Sequence, residues 1–569
     1  MKFLGMNNFG HHSSITLIND ENNFEIHLKE RVTQVKADNT VHLQALRSAK
    51  RFFKNSEVMI SESSYFDVPK QICKKSEKFE AFNEIIKCLK IENFFSIYNP
   101  DILFYTHHYC HAMAAVAISP FKKSVIIVMD GAGSSPKAFN RNHSELKIQP
   151  YKFGFSNGSV AESCTIYLQD GPYLQCVKKE WQVHRTFKFH EVKISLSEGL
   201  GSFYEAAAMF IFGSTFDAGK VMGLASFGKP MPVKNRIKFW AAQDWSNAFK
   251  GKTKKQWEAS PHKLLYADLA ATVQDHFSKS VLRLVTKIRN EYPEYKNIIF
   301  SGGCALNCLT NSLIQNLRIY ENVFVPPFPG DEGVSLGAAF AAKMTYHPKQ
   351  WKPRSHKNQT SAFGPKVSNE KIARITKNEP FVIWPKNLVA FAAKLLAQDF
   401  VIAWFQGRSE TGPRALGNRS LLANPGAPAM KDYLNAKVKG REAFRPYGGS
   451  CTWKKASTYF EFQRNADSPF MSFAPKVKSK YKKSLSEITH NDDTSRIQTV
   501  RPEQDPLFHN LLVEFGKLKG VECLLNTSMN FMGKPLVETP DDALKFFKST
   551  PIFALVLGNA VIFKKEYSP

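Results

Sequence analysis

Ser124-Val125-Ile126-Ile127-Val128-Met129-Asp130-Gly131-Ala132-Gly133 decides how the first half of this chain folds. An apolar, mostly β-branched run without alternation is the signature of a strand buried on both faces, as in a layered α/β sheet. The run ends in an acid and a glycine turn. Glycines let backbone N–H groups approach an anion, and the carboxylate can hold a cation; the same residues also read as an ordinary Asp-Gly turn. KFLGM at 2–6 and NIIFS at 297–301 have the same form. The latter opens into Ser301-Gly302-Gly303-Cys304-Ala305-Leu306-Asn307, a strand, double glycine and helix start that suits a nucleotide or serves as a plain turn. Helical patterns at Leu200–Phe212 and Asp268–Arg289 lie between these strands, and the alternation predicts an α/β fold.

A chain of 569 residues exceeds what one hydrophobic core supports, so two domains are expected. Residues 1–345 form the first. Residues 346–370 are polar, carry Pro348, Pro353 and Pro365, and read as a linker. Residues 371–569 form the second, with strands near Phe400–Trp404 and Ala554–Phe563. No internal repeat is visible in the residues. Apolar content of 43% and aromatic content of 13% exclude a disordered chain. The opening MKFLGMNNFGHHSS lacks the apolar stretch of a signal peptide, and no segment reaches the ~20 apolar residues of a membrane span. A cytoplasmic protein with no membrane partner is expected. The nine cysteines have no spacing that completes a zinc site and read as buried thiols. The formal charge of +27, fed by runs such as Lys476, Lys478, Lys480, Lys482 and Lys483, reads as a solvated lysine-rich surface that attracts anionic substrates. A nucleic-acid footprint is the other reading, but no recognisable nucleic-acid module accompanies it.

Helical spacing puts His107 and His111 of HHYCHAMAA on one face, where two imidazoles can meet one ion or simply make a polar face. Phe328-Pro329-Gly330-Asp331-Glu332-Gly333 runs into the small-residue helix SLGAAFAA, so Asp331 reads as a helix cap or a carboxylate ligand. Together, two histidines with Asp130 and Asp331 make a mixed nitrogen and oxygen set that suits Fe(II), Mn(II) or Zn(II). In the second half, GRSETGPRALGNRS (407–420), NAKVKGREAFRPY, TSRIQTV and NTSMN gather arginines, the lysines Lys437 and Lys439, hydroxyls and amides beside glycine and proline turns. Such donors match a phosphate-rich ligand.

These pieces, with AGKVMGLASFG (218–228) and PLVETPDDAL (535–544), occur in one order along nearly the whole chain. In that combination the sequence resembles the O-carbamoyltransferases of the NodU/CmcH type. The resemblance implies an N-terminal domain of the actin-like ATPase and sugar-kinase class and a C-terminal YrdC-like domain. It implies that the C-terminal domain makes carbamoyl-adenylate from carbamoyl phosphate and ATP (with Mg2+), and that the N-terminal domain passes the carbamoyl group to a small-molecule hydroxyl, amine or guanidine at an Fe2+-type site. By motif, His107, His111, Asp130 and Asp331 would hold the metal. Arg414, Arg419, Ser420, Lys437, Arg445, Arg496, Asn526 and Thr527 would line the adenylation site, with Arg414, Lys437 and Arg445 in its chemistry. Gly131, Gly133, Gly302, Gly303 and Asn307 would serve the ligand loops. His11 is the candidate general base, since imidazole titrates near neutrality.

The sequence departs from that pattern at His11-His12, where His-Asp is usual, at Arg445-Pro446-Tyr447-Gly448-Gly449 and at His490-Asn491-Asp492-Asp493-Thr494. A tRNA-directed carbamoylating or threonylcarbamoylating enzyme and a non-catalytic nucleotide-binding regulator are the rival readings. Intact candidate metal ligands speak against the regulator.

Overall fold

The computed structural model describes residues 2–7, 13–18, 23–36, 58–64, 103–135, 159–189, 192–248, 253–463 and 466–566. His11 and His12 lie outside them.

The first sheet contains β1 (Lys2–Asn7), β2 (Ser14–Ile18), β3 (Phe24–Leu28), β4 (Val58–Ser64) and β5 (Leu103–Thr106), in the order β3-β2-β1-β4-β5. Neighbours among β1 to β3 are antiparallel, whereas β4 runs parallel to β1 and β5 to β4. The second sheet contains β6 (Lys123–Met129), β7 (Ser159–Asp170), β8 (Tyr173–Phe189), β9 (Val192–Leu196), β10 (Asn297–Ser301) and β11 (Asn322–Phe324). Read as β8-β7-β6-β10-β11, it repeats the first sheet: three antiparallel strands, then two added in parallel, with β9 an extra edge beside β8. The unit is therefore a duplicated α/β arrangement of the actin-like class. The duplication is one of topology, so the residue pattern does not display it.

The apolar runs behave as their composition requires. In β1, β6 and β10 only the first residue of each strand escapes full burial, so both faces are covered. Helix α1 (His107–Ile118) follows β5, α2 (Leu200–Phe212) follows β9, and α3 (Ala218–Leu224) and α4 (Lys263–Glu291) precede β10. Helix α5 (Cys308–Asn316) follows β10, and α6 (Val334–Tyr346) closes the unit. The small residues of α6 let it lie directly on α1: a Cβ on Gly337 would stand 1.8 Å from the Cys110 carbonyl oxygen.

The C-terminal sheet is built from β12 (Val382–Ile383), β13 (Ile402–Phe405), β14 (Arg419–Ala423), β15 (Gly448–Thr452), β16 (Ile497–Val500), β17 (Cys523–Ser528), β18 (Ala554–Leu557) and β19 (Ala560–Phe563). Its order is β12-β19-β18-β13-β14-β17-β15-β16. The polar segment before it does not hang free. Phe363 is buried and its carbonyl accepts from Ile26 N–H at 2.9 Å, while the Ser361 carbonyl accepts from Thr411 N–H at 2.7 Å. The segment thus bonds to β3 on one side and to the arginine-bearing loop on the other. Among the described residues no helix is long and apolar enough to cross a membrane.

Candidate functional site

The N-terminal cluster is assembled from three chain positions. Helix α1 starts at His107 and places His111 one turn later on the same face. Thr106 gives no side-chain cap; instead the Ser134 hydroxyl accepts from His107 N–H at 2.8 Å, and Glu162 Oε2 accepts from His108 N–H at 3.5 Å and from Ser134 N–H at 2.9 Å. Glu162 is itself buried against the buried Lys179 ammonium. The turn after β6 is thereby tied to the helix that carries the imidazoles. Asp130 directly follows β6 and accepts from Gly131 N–H at 2.7 Å. Asp331 begins the short turn before α6, and its carbonyl accepts from Asn7 at 3.3 Å.

These side chains converge. His107 Nε2 lies 3.4 Å from Asp130 Oδ2 and 3.4 Å from Asp331 Oδ1, and His111 Nε2 lies 3.1 Å and 3.5 Å from the same atoms. The two Nε2 atoms are 3.0 Å apart, and one donor atom from each of the four residues lies within 4.8 Å of every other. Facing ring nitrogens at that distance need a proton or a cation between them. Burial opposes a charged His107, but Asp331 and Asp130 outweigh it and raise the group to about 9. His111 is raised against burial and the His107 charge by the same two acids. Burial would raise the acids, yet the imidazoles hold both below the carboxylate range. Two imidazole nitrogens and two carboxylate oxygens in a buried site fit a first-row divalent ion.

The glycines sit tight against this cluster. Gly302 adopts φ +86°, and a Cβ there would stand 2.2 Å from the Met129 carbonyl oxygen; a Cβ on Gly303 would be 2.9 Å from Asp130 Oδ1. The double glycine therefore lets the β10 turn press against the acid-bearing end of β6. Gly131 faces Glu205 on α2, and Gly133 faces Glu162 and His108. Asn307 caps α5 by accepting from Thr310 N–H at 3.1 Å and donates to Gln274 at 2.9 Å, so its amide serves the fold. Sequence reasoning missed Glu205, which has no motif around it. Burial, with Asp130 and Asp331 adding to it, pushes its carboxyl up to about 8.

In the C-terminal unit, the loop of residues 410–419 folds around a carboxylate. Glu410 Oε1 accepts from the N–H groups of Leu416, Asn418 and Arg419 at 2.7, 2.8 and 3.2 Å. Arg419 is fully buried and donates to the carbonyls of Gln406, Asn418, Gly407 and Glu538, with its guanidinium 3.6 Å from the Phe405 ring centroid. The structure thus gives Arg419 to the loop scaffold. Arg414, Arg445 and Arg496 are half-buried and carry the remaining charge of the cluster. Burial, then Arg414 and, less strongly, Arg445, bring Arg496 down to about 9, although Cys308 opposes them. Arg414 is lowered by burial while Cys308 and Glu332, both of the N-terminal unit, favour its charge. Like charges massed in this way are relieved by an anion.

Asn526 donates to Ser450 at 2.9 Å, Ser420 Oγ accepts from Gly417 N–H at 3.0 Å, and Thr527 stands half-buried on β17. Lys437 is exposed, with Ala436 beside it. Lys439 takes the interior place, only 3% exposed. Its ammonium donates to the Ser528 carbonyl and hydroxyl and to the Asn530 carbonyl and amide oxygen. A helical reading of 434–439 contained the signal, since Leu434, Asn435, Val438 and Lys439 share the buried face.

The two clusters lie toward one another across the units. Asp331 is followed by Glu332, whose charge reaches Arg414; Arg31 donates to the Gly412 carbonyl at 2.8 Å; and Asn311 donates to the Ser472 carbonyl at 3.0 Å.

Comparison with known proteins adds an independent finding. A family model described as Carbamoyltransferase N-terminus matches residues 44–340, and one described as Carbamoyltransferase C-terminus matches residues 393–564. The uncharacterized protein sll1178 of Synechocystis sp. is 30% identical over 516 residues, covering 82% of this chain and 77% of that protein. Nodulation protein NolNO of Sinorhizobium fredii is 30% identical over 489 residues, covering 82% of this chain and 65% of NolNO. The 3'-hydroxymethylcephem-O-carbamoyltransferase of Amycolatopsis lactamdurans is 31% identical over 358 residues, covering 60% of this chain and 64% of that enzyme. This chain therefore spans just under two thirds of the length of the latter two.

Proposed function

Because the chain belongs to the carbamoyltransferase family, we propose that it joins two half-reactions: formation of carbamoyl-adenylate in the C-terminal, YrdC-like domain (371–569) and carbamoyl transfer to a small-molecule hydroxyl in the N-terminal domain (1–345). The observation that carries this reading is the pairing of a four-donor cluster with an arginine cluster on facing parts of one molecule.

In the first half-reaction, ATP and carbamoyl phosphate bring several phosphates to one place. Arg414, Arg445 and Arg496 meet that charge, and they continue to stabilise it as pyrophosphate leaves the α-phosphorus. Lys439 holds Ser528 and Asn530, and so fixes the end of β17, the strand that carries Asn526 and Thr527. One water cleaves carbamoyl phosphate to carbamate and phosphate, and a carbamate oxygen then bonds to the α-phosphorus of ATP as pyrophosphate departs, leaving carbamoyl-adenylate. In the second, the acceptor oxygen forms a bond to the carbamoyl carbon and AMP departs. His107, His111, Asp130 and Asp331 would hold a divalent ion, Fe2+ or similar, which when bound acts as a Lewis acid toward the carbamoyl or phosphate oxygen. His11, as general base, would take the acceptor proton.

The cephem enzyme's name places its carbamoyl group on a hydroxymethyl oxygen, which supports a hydroxyl acceptor here. The net charge of +27 supports a second reading, a tRNA acceptor. A steep fall of tRNA affinity with salt would favour that second reading. The test of the first is release of pyrophosphate from ATP that requires carbamoyl phosphate. Release without it, or none with it, would overturn the adenylation step.

A further inference from the structure

The AGKVMGLASFG segment has no part in either half-reaction as described, yet one of its residues is a buried cation. Lys220, on α3, is 7% exposed; its Nζ lies 3.1 Å from Asp217 Oδ2 and 3.0 Å from Glu442 Oε1. Glu442 belongs to the C-terminal unit and is 2% exposed. Its second oxygen, Oε2, accepts no hydrogen bond and lies 3.7 Å from Arg445 NH1. One carboxylate is therefore held between a cation from each unit, and the second cation belongs to the arginine cluster.

The surrounding packing fixes the same segment. Phe444 stacks on Phe212 of α2 with centroids 6.1 Å apart and meets the edge of Trp257 at 5.1 Å. Lys220 lies 5.1 Å from the Phe212 ring centroid. A Cβ on Gly223 would stand 3.1 Å from Pro446. Residues 442–446 are thus seated on helices of the N-terminal unit, while the rest of the arginine cluster is carried by C-terminal loops.

We infer that the N-terminal unit completes the adenylation site: the Lys220–Glu442 pair positions Arg445 for the anionic substrates, so the C-terminal unit alone has an unfinished site. This rests on the adenylation reading above. Lys220 and Glu442 are positioning residues that act through Arg445. Without Lys220, the buried carboxylate has one strong partner left and draws the guanidinium toward itself, away from the phosphates. Without Glu442, Arg445 loses its anchor. Burial works against an ionised Glu442, and Lys220 and Arg445 outweigh it, which keeps the carboxylate charged in its role as clamp.

The test uses the full chain and follows carbamoyl-phosphate-dependent pyrophosphate release without acceptor, with thermal melting in parallel, for wild type, K220M, E442Q, K220R and the double variant K220M/E442Q. K220M and E442Q should raise the KM for carbamoyl phosphate by roughly tenfold or more, the scale of a misplaced binding group. K220R should stay near wild type. The double variant leaves no orphaned carboxylate at 442, so it should regain melting temperature while its KM stays raised. Variants that melt lower with unchanged KM, or a double variant that regains both, would overturn the positioning role and leave a mere tether between units. No pyrophosphate release by wild type would overturn the adenylation reading and this inference with it.

Discussion

Arg414 and Arg419 lie five residues apart and look equivalent in sequence, but they are placed differently, and under the proposed adenylation reading replacing each has a separate effect. Arg419 is fully buried. Its guanidinium donates at 2.7 Å to the Gln406 carbonyl, reaches three more carbonyls between 3.2 and 3.4 Å, and stacks 3.6 Å from Phe405. A charged hydrogen bond contributes about 1.5–3 kcal/mol and a desolvated cation–π contact about 2. Lysine keeps the charge but neither the fork nor the plane, so Arg419→Lys should cost about 3–5 kcal/mol of stability. Arg414 faces Arg445 and Arg496. Arg414→Ala removes repulsion as well as contacts, so stability should shift by no more than about 1 kcal/mol. Pyrophosphate release should fall by about 10²–10³, as when one donor to developing charge is lost. Urea unfolding followed by fluorescence, with pyrophosphate release on the same preparations, reads both. A normal unfolding midpoint for Arg419→Lys, or an unstable but active Arg414→Ala, would refute the division.

Further outcomes follow from the same geometry. Asp331→Asn removes one of the two carboxylates facing both imidazoles, and bound metal measured after chelator competition should fall by at least the 10–100-fold that weaker, outer contacts are worth; undiminished metal content would count against the ligand assignment. In the ion-free protein, His107 is raised from about 6.5 to about 9. Its contribution is present in full below pH 6.5 and is lost as pH climbs through 9, so melting temperature should drop across that window by the equivalent of a few kcal/mol. Metal must displace that proton, so metal affinity should rise over the same range, and pH-independent binding would contradict the site. Lys437→Met should leave pyrophosphate release unchanged, whereas Lys439→Met should abolish it; the reverse pattern in a pyrophosphate assay would restore Lys437 to the site.

What the sequence made legible was whatever burial writes into it. β1, β6 and β10 are covered on both faces, so their residues form unbroken apolar runs. The convergence of His107, His111, Asp130 and Asp331 was legible because the two histidines are one helical turn apart and each acid stands where a strand or a helix meets a glycine turn. β8 was not legible: its 17 residues include Lys178, Lys179, Arg185 and Lys188, and part of the strand faces solvent. The topological repeat was hidden because strand order is a property of pairing, which composition does not encode. Glu205 escaped because a helix interior gives no spacing cue, and its role comes only from the turn it touches. Lys437 and Lys439 look alike in sequence, and only the fold shows that Lys439 lies on the buried face of the turn over 434–439 while Lys437 is exposed.

In the proposed reaction one chain activates a carbamoyl group in one place and delivers it in another. The direct measurement is mass spectrometry of the host's metabolite extract incubated with the protein, ATP and carbamoyl phosphate, before and after stringent chelation of the protein and readdition of Mg2+. An acceptor that gains one carbamoyl group before chelation and none after it, while pyrophosphate release persists in both, is the expected result. Undiminished transfer by the chelated protein, or transfer without pyrophosphate release, would contradict it.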